Sequence, residues 1–175
     1  MKTILIFVST LDGKITRWGD PMIRSWSSDT DQAYFDEIWS NYRVIIMGSG
    51  TYLPSPVKPD SKHLFIILTR HPEFYKNVEV REQLEFTSDP PLVLLERVRK
   101  TGEETVLIVG GAQIATSFFK EQLIDELWLT IEPRIFGMGG GFVNEEKLDI
   151  KLNLISVIKA NKQGTLLTKY KVLYT

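Results

Sequence analysis

The stretch Thr105 to Pro133, TVLIVGGAQIATSFFKEQLIDELWLTIEP, constrains the fold more than any other part of the chain. It opens on the β-branched and leucine run Thr105 to Val109, the pattern of a strand buried on both faces. Gly110 and Gly111 follow, and then a helical pattern in which Ile114 and Phe118, and likewise Ala115 and Phe119, lie one turn apart. A second apolar run, Glu126 to Ile131, stops short of Pro133. Strand, glycine pair, helix and strand make a βαβ unit. Such a unit sets bare N–H groups and a helix N-terminus at the carboxyl end of a strand, where donors and dipole together favour an anion such as a pyrophosphate. A tight strand-to-helix turn with no ligand would use the same glycines. The pair does not complete G-x-G-x-x-G and no Gly-Lys-Ser/Thr follows, so it is neither a Rossmann fingerprint nor a P-loop.

The rest of the chain supplies more units of the same kind. Ile4 to Val8 reads as a buried strand that ends in the Asp12-Gly13 turn. After a polar loop, Ser28 as N-cap and Asp31 three residues on open a helix whose aromatic face is Phe35, Ile38, Trp39 and Tyr42. Arg43 to Met47 is the second strand, closed by the turn Gly48 to Thr51, and Leu64 to Thr69 is the third. A short strand is expected around Val78, and then a helix from about Pro91, capped by Ser88 or Asp89, with Leu92, Leu95 and Val98 as its apolar stripe. Leu152 to Lys159 and Leu166 to Tyr174 form a final strand pair around a turn at Asn161 to Gly164. Alternating strands and helices that close in a hairpin predict an α/β fold: a mixed, mostly parallel sheet with flanking helices in three layers and a C-terminal antiparallel hairpin.

Composition narrows the chemistry. Lys and Arg number 21 against 22 Asp and Glu, so no bulk charge points to nucleic acid or a membrane surface. The absence of cysteine excludes disulfides, thiolate metal sites and a cysteine nucleophile, and the two histidines are too few for a histidine-rich metal centre. The first apolar run is too short for a secretion signal, which predicts a cytoplasmic protein. At 175 residues a single domain is expected.

Five motifs recur in order: STLDGKI (Ser9 to Ile15), WSSD (Trp26 to Asp29), MGSGT (Met47 to Thr51), VGGAQ (Val109 to Gln113) and LIDELWLTIEPRIFGMG (Leu123 to Gly139). Together they resemble the dihydrofolate-reductase-like superfamily, and most closely the C-terminal reductase domain of the riboflavin-biosynthesis deaminase-reductase. The resemblance implies an oxidoreductase that binds NADPH along the carboxyl edge of its sheet. Gly48, Ser49 and Thr51 match the turn that holds cofactor phosphates, and Thr69 and Arg70 match the site of the adenosine end. Gly110, Gly111, Ala112, Gln113 and Ile114 match the pyrophosphate cradle, where the resemblance implies a cis Gly110–Gly111 bond. Asp31 opens Asp-Gln-Ala-Tyr-Phe, which resembles the start of the active-site helix in dihydrofolate reductases, and is the candidate catalytic acid. An Asp at that place also stabilises a helix with no active site present. Asp12, Lys14, Trp26 and Ser27 match positions that border the substrate and nicotinamide.

The match departs from both branches of the superfamily. After the second turn the chain reads Tyr52-Leu53-Pro54-Ser55-Pro56-Val57, without the acid and arginine that grip a ribose-linked phosphate in the riboflavin branch. Val109 stands where that branch has glutamate, and Ser49 where dihydrofolate reductases have arginine. With no cysteine and a strand at its start, the chain is expected to lack the zinc deaminase half. The expected activity is NADPH-dependent reduction of a nitrogen heterocycle, most like 5-amino-6-ribosylaminouracil, a pyrimidine. Dihydrofolate reductase is the alternative, and a non-catalytic NADPH sensor a further one. The resemblance also implies a homodimer and a small-molecule substrate, with no metal.

Overall fold

The computed structural model describes residues 1–18 and 20–174. Among these, strands and helices alternate as β1 (Lys2–Thr10), α1 (Asp29–Asn41), β2 (Val44–Gly48), α2 (Ser49–Tyr52), β3 (Leu64–Leu68), β4 (Leu84–Thr87), α3 (Pro91–Arg99), β5 (Thr105–Ile108), α4 (Ala112–Lys120) and β6 (Glu126–Glu132), followed by the hairpin β7 (Lys151–Lys159) and β8 (Leu166–Leu173). The strands form one sheet in the order β4-β3-β2-β5-β1-β6-β8-β7. β1 to β6 run parallel, and β8 joins antiparallel between β6 and β7. The βαβ unit expected around the glycine pair is present as β5, α4 and β6. Its two strands flank β1 rather than each other.

Strand periodicity sorts the core into two layers. Leu5, Phe7, Val44, Ile46, Val106 and Ile108 face α3 and α4. Ile4, Ile6, Ile45, Met47 and Leu107 face the other way, toward Ile38, Phe35 and Trp39 of α1. Helices on both faces give the three layers expected, because strands buried on both sides must be apolar at every position. Phe118 of α4 is fully buried in the first layer, where truncation to Ala is worth about 3–5 kcal/mol.

Three local expectations are corrected. The fourth strand is Leu84–Thr87, and Val80 contributes only an isolated bridge to Leu84. Pairing of Leu84 with Phe65 fixes that short strand, a long-range contact that four residues do not announce. Neither Ser88 nor Asp89 caps α3: the N-cap is Pro90, with Pro91 in the first turn where its missing N–H costs nothing. That start turns Leu94, Leu95 and Val98 inward and leaves Leu92 exposed. Ser28 does cap α1, its side chain accepting from the Asp31 N–H.

Candidate active site

Parallel strands bring their carboxyl ends to one edge of the sheet, and every candidate site residue except those of the loop before α1 and of α1 itself follows one of those ends. In sheet order the tips are β3 with Thr69 and Arg70, β2 with Gly48, Ser49 and Thr51, β5 with Gly110 to Ile114, β1 with Asp12 and Lys14, and β6 with Glu132. Neighbouring strands lie about 4.8 Å apart, so this row spans about 19 Å from β3 to β6.

The β2 and β5 tips are joined directly. The Gly48 N–H donates to the Gly110 carbonyl at 2.9 Å. A Cβ on Gly48 would lie 2.8 Å from Ile114 Cγ1, and one on Gly111 would lie 3.3 Å from Thr51 Oγ1. Only glycine permits this approach. Gly110 has φ +103°, and a Cβ there would meet the Phe7 ring at 2.8 Å. The Gly110–Gly111 peptide is cis. Gly48 and Gly111 are the N-caps of α2 and α4. A glycine has no side chain with which to satisfy first-turn N–H groups, so those of α4 remain for an acceptor from outside the chain. Arg70, exposed at the β3 tip, takes part in no ion pair among the described residues.

The β1 and β6 tips carry a different arrangement. Asp31 is 5 % exposed. It lies one and two turns before Phe35 and Ile38, on the face of α1 that meets the sheet. Burial pushes its carboxyl up to about 6; hydroxyls of Thr130 and Ser27 hold it back, and the nearby Glu132 charge adds to the rise. The Ser27 hydroxyl sits beside this carboxyl yet has no hydrogen-bond partner in proper geometry, and Trp26 Nε1 next to it is also buried and unpartnered among the described residues. Buried polar atoms without partners are rare. Trp26 packs edge-on against Phe136, with ring centroids 5.1 Å apart, and the exposed Trp18 meets the same ring at 5.9 Å.

Asp12 is not free to meet a ligand with its full hydrogen-bonding capacity. It accepts from Thr10 Oγ1 at 2.5 Å and from the N–H groups of Phe136 at 3.2 Å and Gly137 at 2.7 Å. The Thr10 bond, followed by those N–H groups, holds its carboxyl down to about 2. Lys14 bridges to Gly141 through the backbone. Both residues therefore hold the loop after β6 against the loop after β1.

Sequence reasoning passed over Thr130, Thr165 and the placement of Glu132. The signal was the alternation of β6: Trp128, Thr130 and Glu132 share the face toward α1. A threonine and a glutamate on a buried face are conspicuous once that face is known.

A mostly parallel sheet with these glycine tips and a buried acid on α1 defines the dihydrofolate-reductase-like fold. The chain belongs to the RibD C-terminal domain family, which it matches over residues 1–166. It is 26% identical over 159 residues to the uncharacterised protein YwjB of Bacillus subtilis, covering 87% of this chain and 88% of that one. A pyrimidine reductase-like protein of Corynebacterium diphtheriae superposes with TM-score 0.78 at 14% identity, over 99% of this chain and 92% of its own. The Thermotoga maritima diaminohydroxyphosphoribosylaminopyrimidine deaminase/5-amino-6-(5-phosphoribosylamino)uracil reductase superposes with TM-score 0.74 at 19% identity, over 97% of this chain but 56% of its own.

Proposed function

We propose that the protein is an NADPH-dependent reductase of a small nitrogen heterocycle, nearest in kind to the ribosylaminopyrimidine reductases of riboflavin biosynthesis. The observation that carries this reading is the row of strand tips: backbone donors and a free arginine at β3, β2 and β5, then a buried acid beside unpartnered polar atoms. The open N–H groups of α4 and the glycine contacts fit a pyrophosphate. Arg70, at the far end, fits a 2′-phosphate through paired N–H donors. When bound, NADPH supplies the hydride. Burial raises the Asp31 carboxyl to about 6, so it carries a proton below that pH and is the group assigned to protonate a ring nitrogen. Trp26, packed edge-on against Phe136, helps keep that region dry.

The acid on α1 is also the feature that the dihydrofolate reductase alternative requires. Both substrates are distinguished by one assay: NADPH oxidation measured side by side with dihydrofolate and with the ribosylaminopyrimidine, at pH 6 and 8. Turnover of the pyrimidine alone supports the first reading, and of dihydrofolate alone the second. Tight NADPH binding with neither substrate reduced removes the enzyme reading altogether.

The proposal includes a homodimer through β7. That edge strand exposes Leu152, Leu154, Ile155, Val157 and Ile158, each roughly half accessible, so both of its faces are apolar. An open apolar edge seeks a partner strand, and a second copy of the chain offers one of the same kind. Light scattering on the protein and on Ile158→Lys tests it; a monomer in both cases rejects it.

A further inference from the structure

The turn of the C-terminal hairpin reaches back to the candidate acid. Between β7 and β8 the chain folds over at Asn161 to Thr165, with Gly164 at φ +101°, a conformation that glycine adopts freely. Asn161 Oδ1 accepts from the N–H groups of Gly164 at 2.9 Å and Thr165 at 3.0 Å. Those two bonds fix which way the side-chain amide points, because a backbone N–H can only donate. The nitrogen is then the donating end. Nδ2 donates to Thr165 Oγ1 at 2.8 Å and to Thr30 Oγ1 at 3.2 Å, so every hydrogen-bonding position of the amide is used.

The turn itself requires only the oxygen, and an aspartate would serve it as well. The bond to Thr30 is surplus to the turn and joins residues 131 apart in the chain. Thr30 lies in the first turn of α1, immediately before Asp31. The cap of the same turn, Ser28, is held to Glu132 of β6 through its N–H at 2.8 Å and its hydroxyl at 2.6 Å. Thr165, fully buried, meets both anchors: it takes the Asn161 bond and lies 2.7 Å from Glu132 Oε2. A helix start tied at two points cannot lift from the sheet without breaking bonds where few replacements are at hand.

We propose that Asn161 is a positioning residue: its amide braces Thr30, and with it the first turn of α1, so that the Asp31 carboxyl stays enclosed. This role rests on the reading of Asp31 as the proton donor, but its test needs neither cofactor nor substrate. Thr30→Val removes the acceptor and leaves the turn's own bonds alone, whereas Thr30→Ser keeps the acceptor. In protein carrying carbon-13 at its carboxyl groups, with Asp31→Asn used to assign the signal, Asp31 titrates near pH 6, raised chiefly by burial. The charged or titratable groups that act on it are Glu132 from β6, Arg24 from the preceding loop and Tyr34 from its own helix, and Lys162 of the hairpin turn is exposed. Neither substitution alters any of them, so a moved midpoint reports a change in enclosure. In Thr30→Val the midpoint falls by about one pH unit as water reaches the carboxyl, and in Thr30→Ser it stays. Where there is activity, the pH above which kcat declines moves to acid by the same amount. An unmoved midpoint in folded Thr30→Val overturns the proposal, and so does an equal fall in both variants. An Asn161 side-chain amide that exchanges with solvent as fast as an exposed one overturns it too, a measurement on the unaltered protein that stands even where a variant does not fold. The stated shift in a protein that reduces no heterocycle at any pH sinks the reductase reading and leaves the brace intact.

Discussion

The tips of β2, β3 and β5 and those of β1 and β6 line the same edge of one sheet, yet they are made of different material. The first group works almost entirely with main chain: glycines that allow close approach, N–H groups without caps, and a single arginine. The second works with side chains drawn from distant parts of the sequence: half-buried Ser28 and buried Asp31, Thr130, Glu132 and Thr165. A backbone cradle suits a ligand whose charge is always the same. A buried side-chain network suits a step in which a proton changes place, because burial is what moves a carboxyl into the neutral range.

The largest effect that separates the halves is expected from Asp31→Asn. Turnover should fall by about 10²- to 10⁴-fold, the usual worth of a positioned acid, with NADPH affinity unchanged in a fluorescence titration. Stability should move the other way. The folded carboxyl titrates near 6 instead of 3.8, so the folded state binds more protons between those values and loses stability as pH rises through them. Above pH 7 the ionised, buried group costs on the order of 3 kcal/mol. The variant should therefore melt higher than the parent at pH 8, with the gap closing by pH 4. A variant that melts lower at both pH values would mean that Asp31 is a structural cap and the second half is no site.

Gly110→Ala attacks the first half. A side chain at φ +103°, pressed against Phe7, is expected to lower stability by on the order of 3 kcal/mol. NADPH binding should weaken while the Asp31 titration stays in place. Movement of both would show that the halves are one mechanical unit. Arg70→Ala is milder: loss of a charge-assisted bond should weaken NADPH about ten- to hundredfold and leave NADH untouched. Equal loss for both would put Arg70 on something other than the 2′-phosphate.

The same contrast explains what the sequence disclosed. The backbone half is local. Gly48 to Thr51 and Gly110 to Gln113 each fit in one short window, so a reader of the chain sees them whole, and the strands on either side announce themselves by unbroken apolar runs. Asp31 was visible because it starts an amphipathic helix behind a serine cap. Its environment was not, since Glu132 lies about a hundred residues away and meets Ser28 only after β6 takes its place beside β1. The fourth strand was missed for a related reason: β4 is a short edge strand, defined by its pairing with β3 more than by its own residues.

Asp12 sits on the border between the halves and is expected to give the smallest effect. The family resemblance implies a substrate contact there, and in the structure its carboxylate accepts from the Phe136 and Gly137 N–H groups and from Thr10. Its folded value of about 2 lies below the ordinary 3.8, so the folded state binds fewer protons in that interval. The stability it adds is complete above pH 4 and fades as pH falls through 2. Asp12→Asn should consequently melt a little lower than the parent at pH 7 and draw level with it near pH 2. If the clamp is all that Asp12 provides, KM for the substrate changes no more than the loop's loosening dictates, and equally for every substrate tried. A selective rise in KM with an unchanged acid limb would return Asp12 to the substrate half and move the border between the two materials one strand tip toward β5.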